Sequence, residues 1–238
     1  MTARRFTLDD PPFAGLTGKG VRVAIIDSGV HPANPHIGGA QVSGVRIGAD
    51  GETDGDFVDR IGHGTAVAAA ILEKAPGIDL LAVRVFDRTL ATSAEVLAAA
   101  ISWAALHDAR LINLSLGTAN PQRAEMLGAA VAEGVALGAI VVSARESGGV
   151  ALLPGSLPNV VGVTLDPACD RHELAVVPPG AGFASSGYPR PIEGVPVERN
   201  LSGISFAVAN VTGFLARLLE ADASVRDVGD VLRLVPLV

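Results

Sequence analysis

The feature that most limits what this chain can fold into is a rhythm. Short β-branched apolar runs recur at residues 21–26 (VRVAII), 79–86 (DLLAVRVF), 111–116 (LINLSL), 139–144 (AIVVSA) and 160–165, with helix-forming stretches between several of them at 62–75, 93–107 and 121–137. Runs this short and this apolar read as strands covered on both faces, and the stretches between them are long enough to cross over a sheet. Strand, crossover and strand again is the βαβ pattern, which predicts an α/β domain with a parallel sheet. Residues 203–221 predict a long apolar helix and 225–235 a shorter closing one. The Gly-rich, acidic stretch 38–59 reads as a loop or hairpin, and 178–200, rich in Pro, Gly and Ser, as irregular surface chain. With 238 residues, 49% of them hydrophobic, there is enough apolar surface for one sizeable core, and no linker or repeat divides it, so one domain over 1–238 is expected.

A net charge of −7 without any Lys/Arg-rich run gives no footprint for nucleic acid or an anionic membrane surface, and neither is expected as a partner. The single cysteine, Cys169, excludes an internal disulfide and reads as an ordinary loop residue. The first twelve residues, MTARRFTLDDPP, lack the apolar core of a secretion signal, and no later apolar stretch reads as long and continuous enough to span a bilayer. A cytoplasmic protein is expected, without a sizeable pro-segment ahead of the run that begins at Val21.

Parallel sheets bind ligands outside the carboxyl ends of their strands. Asp27 stands at such an end, followed by Ser28 and Gly29. His63-Gly64-Thr65 opens one helix, and Gly203-Ile204-Ser205-Phe206-Ala207 opens another. Taken singly, an Asp in a turn, a His at a helix start and a Ser at an N-terminus are everyday capping residues. All three in this order, with Ser115-Leu116-Gly117 after a strand, VVPPGAG at 176–182 and Val208-Ala209-Asn210-Val211-Thr212-Gly213 continuing the last helix, resemble the subtilisin family over residues 21–221.

The resemblance implies a three-layer α/β fold, a mostly parallel central sheet with helices on both faces, and serine peptidase chemistry. Ser205 is then the nucleophile, His63 the base that takes its proton and later returns it, and Asp27 the carboxylate that orients and stabilises the imidazolium. The backbone N–H at Ser205 and the positive end of its helix serve the developing oxyanion. Ser115, Leu116 and Gly117 form the edge that pairs through its main chain with an extended substrate, a peptide or protein. No cofactor is implied. His31, His36, His107 and His172 lack metal-ligand spacing, and residues 73–77 connect directly to the next strand where many relatives carry a longer calcium loop, so no metal is expected. The sequence leaves the oligomeric state open.

The chain departs from the family pattern at the oxyanion. Where the family places an Asn donor in a Gly-Asn-Glu-Gly-like turn, this chain has Arg145-Glu146-Ser147-Gly148 after Ala144. Glu146 takes the Asn position, and Arg145 replaces a glycine bordering the pocket for the residue before the scissile bond, with Ala144 and Arg145 counted as substrate-binding. Ile204 stands in place of the usual threonine. Three arrangements are open: Glu146 protonated by burial and donating, which implies a narrow optimum on the acidic side of neutral; Glu146 paired with Arg145 and swung aside; or a feeble catalyst. Arg145 either narrows the pocket or pairs with an acidic substrate residue, or it is a surface residue. The implied function is hydrolysis through an acyl-enzyme of a narrow intracellular peptide or precursor, with a peptide-binding pseudoenzyme as the alternative.

Overall fold

A computed structural model describes residues 4–177 and 182–235. In chain order its strands are β1 (Arg4–Thr7), β2 (Arg22–Asp27), β3 (Val42–Ile47), β4 (Thr53–Asp54), β5 (Asp79–Arg84), β6 (Leu111–Leu114), β7 (Ile140–Ala144), β8 (Glu146–Ser147), β9 (Val150–Ala151), β10 (Val160–Leu165), β11 (Glu173–Val177) and β12 (Gly182–Ser185). The α-helices are α1 (His63–Lys74), α2 (Ala94–Leu106), α3 (Ala124–Ala136), α4 (Ile204–Ala221) and α5 (Val228–Leu234). Ten strands make one sheet in the order β1-β11-β12-β10-β7-β6-β2-β5-β3-β4, while β8 and β9 form a separate ribbon. From β12 to β3 every neighbouring pair is parallel; the outer pairs that bring in β11, β1 and β4 are antiparallel.

The period of two along each strand divides the core between two layers. Val23 and Ile25 of β2 join Ile140 and Val142 of β7 beneath α1 and α4; Ala24 and Ile26 join Ile112 and Leu114 of β6 beneath α2 and α3. Helices therefore cover both faces of a mostly parallel sheet, the three-layer α/β architecture. Small residues let the layers approach closely: Ala68 and Ala70 of α1 and Ala207, Ala209 and Ala216 of α4 are all fully buried.

By length and composition α4 could cross a bilayer, which corrects the expectation that no stretch of this chain could; yet 72% of it is buried inside the protein. Its apolarity is that of a core helix. Phe206, Phe214 and Leu215 are each sealed from solvent, and each contributes about 1.5–3 kcal/mol in removing apolar surface from water.

One expectation about the chain's path is revised. Residues 182–185, placed within irregular surface chain, form β12 beside β10 with Phe183 fully buried; four residues between Pro- and Gly-rich flanks are too few to show a period. Residues 178–181, which include part of the 176–182 motif, lie outside the described residues. The loop or hairpin expected at 38–59 is present, β3 and β4 pairing antiparallel with Arg46 opposite Asp54, and β3 also joins the main sheet alongside β5.

Candidate active site

Strand β2 has β5 on one side and β6 on the other, so its carboxyl end is where chain connections depart in opposite directions. This is the position at which open α/β sheets leave a crevice. Asp27 ends β2 there, fully buried. Its Oδ1 accepts the Ser28 N–H at 2.7 Å and lies 2.8 Å from His63 Nδ1. Oδ2, equally buried, has no hydrogen-bond partner among the described residues.

His63 is the first residue of α1. The helix can settle on the end of β2 because residue 64 is glycine: a Cβ there would collide with the Gly29 carbonyl oxygen and press against Asp27. A second carboxylate fixes the same turn. Asp59 Oδ1 accepts from the N–H groups of Ile61 (2.9 Å) and Gly62 (2.8 Å), and Oδ2 accepts from Thr65 N–H (2.9 Å) and Thr65 Oγ1 (2.6 Å). Burial works to raise the Asp59 pKa, but these bonds outweigh it and hold the carboxyl below its ordinary value. Burial likewise disfavours the charged form of His63; the hydrogen bond and charge of Asp27, reinforced by the charge of Asp59, overcome it and raise the imidazole above 6.5. Sequence reasoning missed Asp59, although an acidic residue just upstream of a helix start is a recognisable signal.

Ser205 lies in the first turn of α4, where backbone N–H groups lack intrahelical partners. Its hydroxyl donates to the Ser115 carbonyl oxygen at 2.9 Å, and Ser115 Oγ donates to the Ser205 carbonyl oxygen at 3.2 Å. Behind this exchange, Asn113 Nδ2 donates to Ser115 Oγ at 2.8 Å, and the single Thr212 hydroxyl proton is shared between Asn113 Oδ1 at 3.0 Å and the Val208 carbonyl at 2.8 Å. The ladder is buried and pins the start of α4 to the end of β6. Asn113 and Thr212 were also missed; a polar side chain inside an apolar strand was the clue, because it needs a partner. The His63 ring stands 5.6 Å from the Phe206 ring, so the imidazole and the first turn of α4 adjoin. The Ser205 hydroxyl is turned toward Ser115, and among the described residues no hydrogen bond joins it to His63.

Leu116 and Gly117 border a cavity of about 390 Å³ shared with Phe86, Leu97 and Thr118. Ala144, expected to bind substrate, is 1% exposed and packs in the core with α4, so its side chain is a packing group. Arg145 is exposed; its N–H donates to the Val163 carbonyl and its carbonyl accepts from Leu152 N–H, while its side-chain stem runs over Gly162.

Glu146 lies on the β8–β9 ribbon, all four of whose strand residues are exposed. The burial required for a protonated, donating Glu146 is therefore missing, and that arrangement is corrected. The acidic optimum it implied loses that support, and Asp27 and Asp59 hold His63 above the ordinary imidazole value.

The remaining histidines keep to loops and helix ends, His107 stacking on Trp103 with ring centroids 3.7 Å apart. Cys169 does sit in a loop, but buried, and burial with the nearby Asp166 pushes its thiol up to about 12, which makes it inert as a nucleophile.

A family model described as the subtilase family matches residues 18–164, a span that holds Asp27 and His63. M-protease of Shouchella clausii strain KSM-K16 is 30% identical over 88% of this chain, which spans 57% of that protein's length. Subtilisin Savinase of Lederbergia lenta is 30% identical over the same 88%, covering 80% of its length. Among solved structures, the prenylagaramide maturation protease PagA superposes with a TM-score of 0.67 at 26% identity, over 87% of this chain and 79% of its own. Matches of this breadth carry past Ser205, through a fold whose layers and sheet agree, and the chain belongs to the subtilase family.

Proposed function

We propose that this protein is a serine endopeptidase that cleaves a narrow peptide or precursor substrate in the cytoplasm, through an acyl-enzyme on Ser205. The observation that carries the reading is the 2.8 Å contact between buried Asp27 and His63 Nδ1, beside the turn that bears Ser205. That contact fixes the tautomer: Nδ1 carries the proton toward Asp27, leaving Nε2 free to accept one from Ser205. As the hydroxyl attacks a substrate carbonyl, the proton passes to Nε2, and the resulting imidazolium is stabilised by the buried carboxylate. The Ser205 N–H and the α4 dipole meet the oxyanion; collapse of the intermediate expels the amine, which takes the proton from Nε2. Water, activated by the same imidazole, then releases the acyl group.

The main chain at Ser115–Gly117 offers the edge on which an extended peptide adds as a strand, and the cavity beside Leu116 takes one of its side chains. Arg145, exposed next to that edge, suits an acidic residue before the cut or narrows the space for it. The precursor reading draws support from the maturation protease among its structural neighbours.

The test is labelling with a fluorophosphonate probe. Wild type is expected to label at Ser205 and Ser205→Ala not at all; an unlabelled wild type overturns the reading. A second reading, a peptide-binding pseudoenzyme, is favoured by one observation: Ser205 donates to Ser115 rather than to His63, while Glu146 stands where a donor is expected. Wild type that binds peptide but neither labels nor cleaves is the result it requires.

A further inference from the structure

A second cavity adjoins His63 and has no part in the scheme above. It is a groove of about 560 Å³ beside the first turn of α1, walled by the 31–36 loop that follows β2 and by parts of the 189–201 chain that leads into α4. Gly62 and Thr65, on either side of His63, border it, as does Leu201, four residues ahead of Ser205. It shares no residue with the cavity beside Leu116. His63 hands its proton to the leaving amine, so the departing half of a cleaved peptide begins at His63. The 115–117 edge is already taken by the half that stays acylated. The leaving half therefore runs over the elements around the α1 N-terminus, where this groove lies.

The lining chemistry is lopsided. Arg60, Arg190, His31 and His36 border the groove, and Asp59 is the one carboxylate among its lining residues. Asp59 is spent: four donors from Ile61, Gly62 and Thr65 occupy its two oxygens. Arg60 is paired with Asp56 at 2.6 Å. Arg190 differs. It is half-buried, its Nη1 donates to the His36 carbonyl at 3.3 Å, and among the described residues no carboxylate lies within ion-pair distance of it. A partly desolvated guanidinium with donors to spare is matched by a carboxylate, which it can hold by two parallel bonds. Ile61, Ile192 and Leu201 add apolar wall. In a protein of net charge −7, this local surplus of positive groups is a recognition feature rather than a general property of the surface.

We propose that the groove receives the substrate segment following the scissile bond, and that Arg190 selects an acidic side chain within it. The proposal rests on the peptidase reading for the direction of the bound chain, and the experiment separates the two. A peptide library randomised on the leaving side is digested, and the new N-termini are read by mass spectrometry. Matched Glu and Gln peptides are then compared by kcat/KM. Asp and Glu are expected to be enriched within the first few leaving residues, with a Glu-over-Gln ratio of about three- to tenfold that weakens with salt. Arg190→Gln brings the ratio to about one, and Arg190→Glu inverts it. Cleavage without acidic enrichment, or enrichment unchanged in both variants, overturns the groove proposal while leaving the peptidase reading in place.

If no peptide is cut, the peptidase reading has failed. The groove is then judged by fluorescence anisotropy of a labelled Glu-rich peptide against its Gln counterpart on Ser205→Ala protein. Tighter binding of the acidic peptide that disappears with Arg190→Gln supports it, and equal binding sinks it. Should Arg190→Gln melt well below the parent, Arg190→Met, which keeps an apolar stem without the charge, takes its place: loss of the preference supports the assignment to Arg190, and a full preference rejects it.

Discussion

Two regions border the reacting centre, and they are built in opposite ways. On one side, Asp27, the α1 turn and the α4 turn are held by buried and half-buried hydrogen bonds: Asp59 binds four donors at the start of α1, and the Thr212–Asn113–Ser115 ladder ties α4 to β6. On the other side, Glu146 rides a two-plus-two-residue ribbon whose strand residues are all exposed. The proposed nucleophile and base are thus held by the core, whereas the ribbon that bears Glu146 is left to solvent. Electrostatic catalysis depends on dipoles fixed before the reaction begins, so the contrast predicts a competent proton relay with weak support for the transition-state charge.

The largest effect expected on the rigid side comes from Asp27→Asn. The amide leaves the packing intact but disturbs the tautomer that points Nε2 at Ser205, and kcat is expected to fall by about 10⁴-fold. A loss below tenfold, measured by steady-state hydrolysis, means that the buried pair is a structural contact only.

On the exposed side, Glu146→Asn replaces an acceptor with a donor. One oxyanion donor is worth about 10²- to 10³-fold in kcat, a size taken from subtilisin, a relative of this chain. A ribbon as open as β8–β9 is expected to recover only part of that, and a gain of about tenfold in the rate of fluorophosphonate labelling is the outcome that supports the contrast. A loss of rate shows instead that Glu146 already contributes in its present form.

The rigid side has a pH signature too. His63 is raised by Asp27 and Asp59, so the ascending limb of kcat/KM, which follows loss of the imidazolium proton, lies above 6.5. Asp59→Ala removes one raising charge, and the limb moves toward lower pH. The same variant strips the α1 turn of its acceptor and is expected to cost about 2 kcal/mol in urea unfolding at neutral pH. Because the folded-state pKa of Asp59 is depressed, its stabilisation is present above the ordinary carboxylate range and lost as pH falls through the folded value. The gap between parent and variant should therefore close in acid. A gap that persists there assigns the loss to packing.

What could be read from sequence divides along the same line. The strand ending at Asp27, the helix opening at His63 and the helix carrying Ser205 were legible because six-residue β-branched runs and long apolar helices carry their own period. The polar groups that hold them were not. Asn113 and Thr212 pair across 99 residues, and hydrogen-bond pairing at that range leaves no local pattern; Asp59 is the exception, because its partners lie two to six residues on and its place ahead of a helix start was legible. Glu146 shows the reverse failure: its identity was plain, but its exposure follows from how the 146–151 ribbon leaves the sheet. Burial belongs to the assembled fold, so a carboxyl that had to be buried to donate could not be judged from its neighbours in sequence.

The smallest expected effect tests the ribbon directly. Val150 is 54% exposed and pairs with Ser147 across β8–β9. Two strands of two residues bury too little to be stable alone, so the ribbon borrows its order from its ends, where Arg145 bonds Val163 and Leu152, and Leu153 bonds Thr118. Val150→Ala removes apolar surface that is already wet and is expected to change global stability by less than about 0.5 kcal/mol. A loss several times larger in a urea titration would mean that the ribbon is a cooperative part of the core. The contrast between a fixed base and a loosely held oxyanion wall would then collapse, and Glu146 would have to be treated as preorganised.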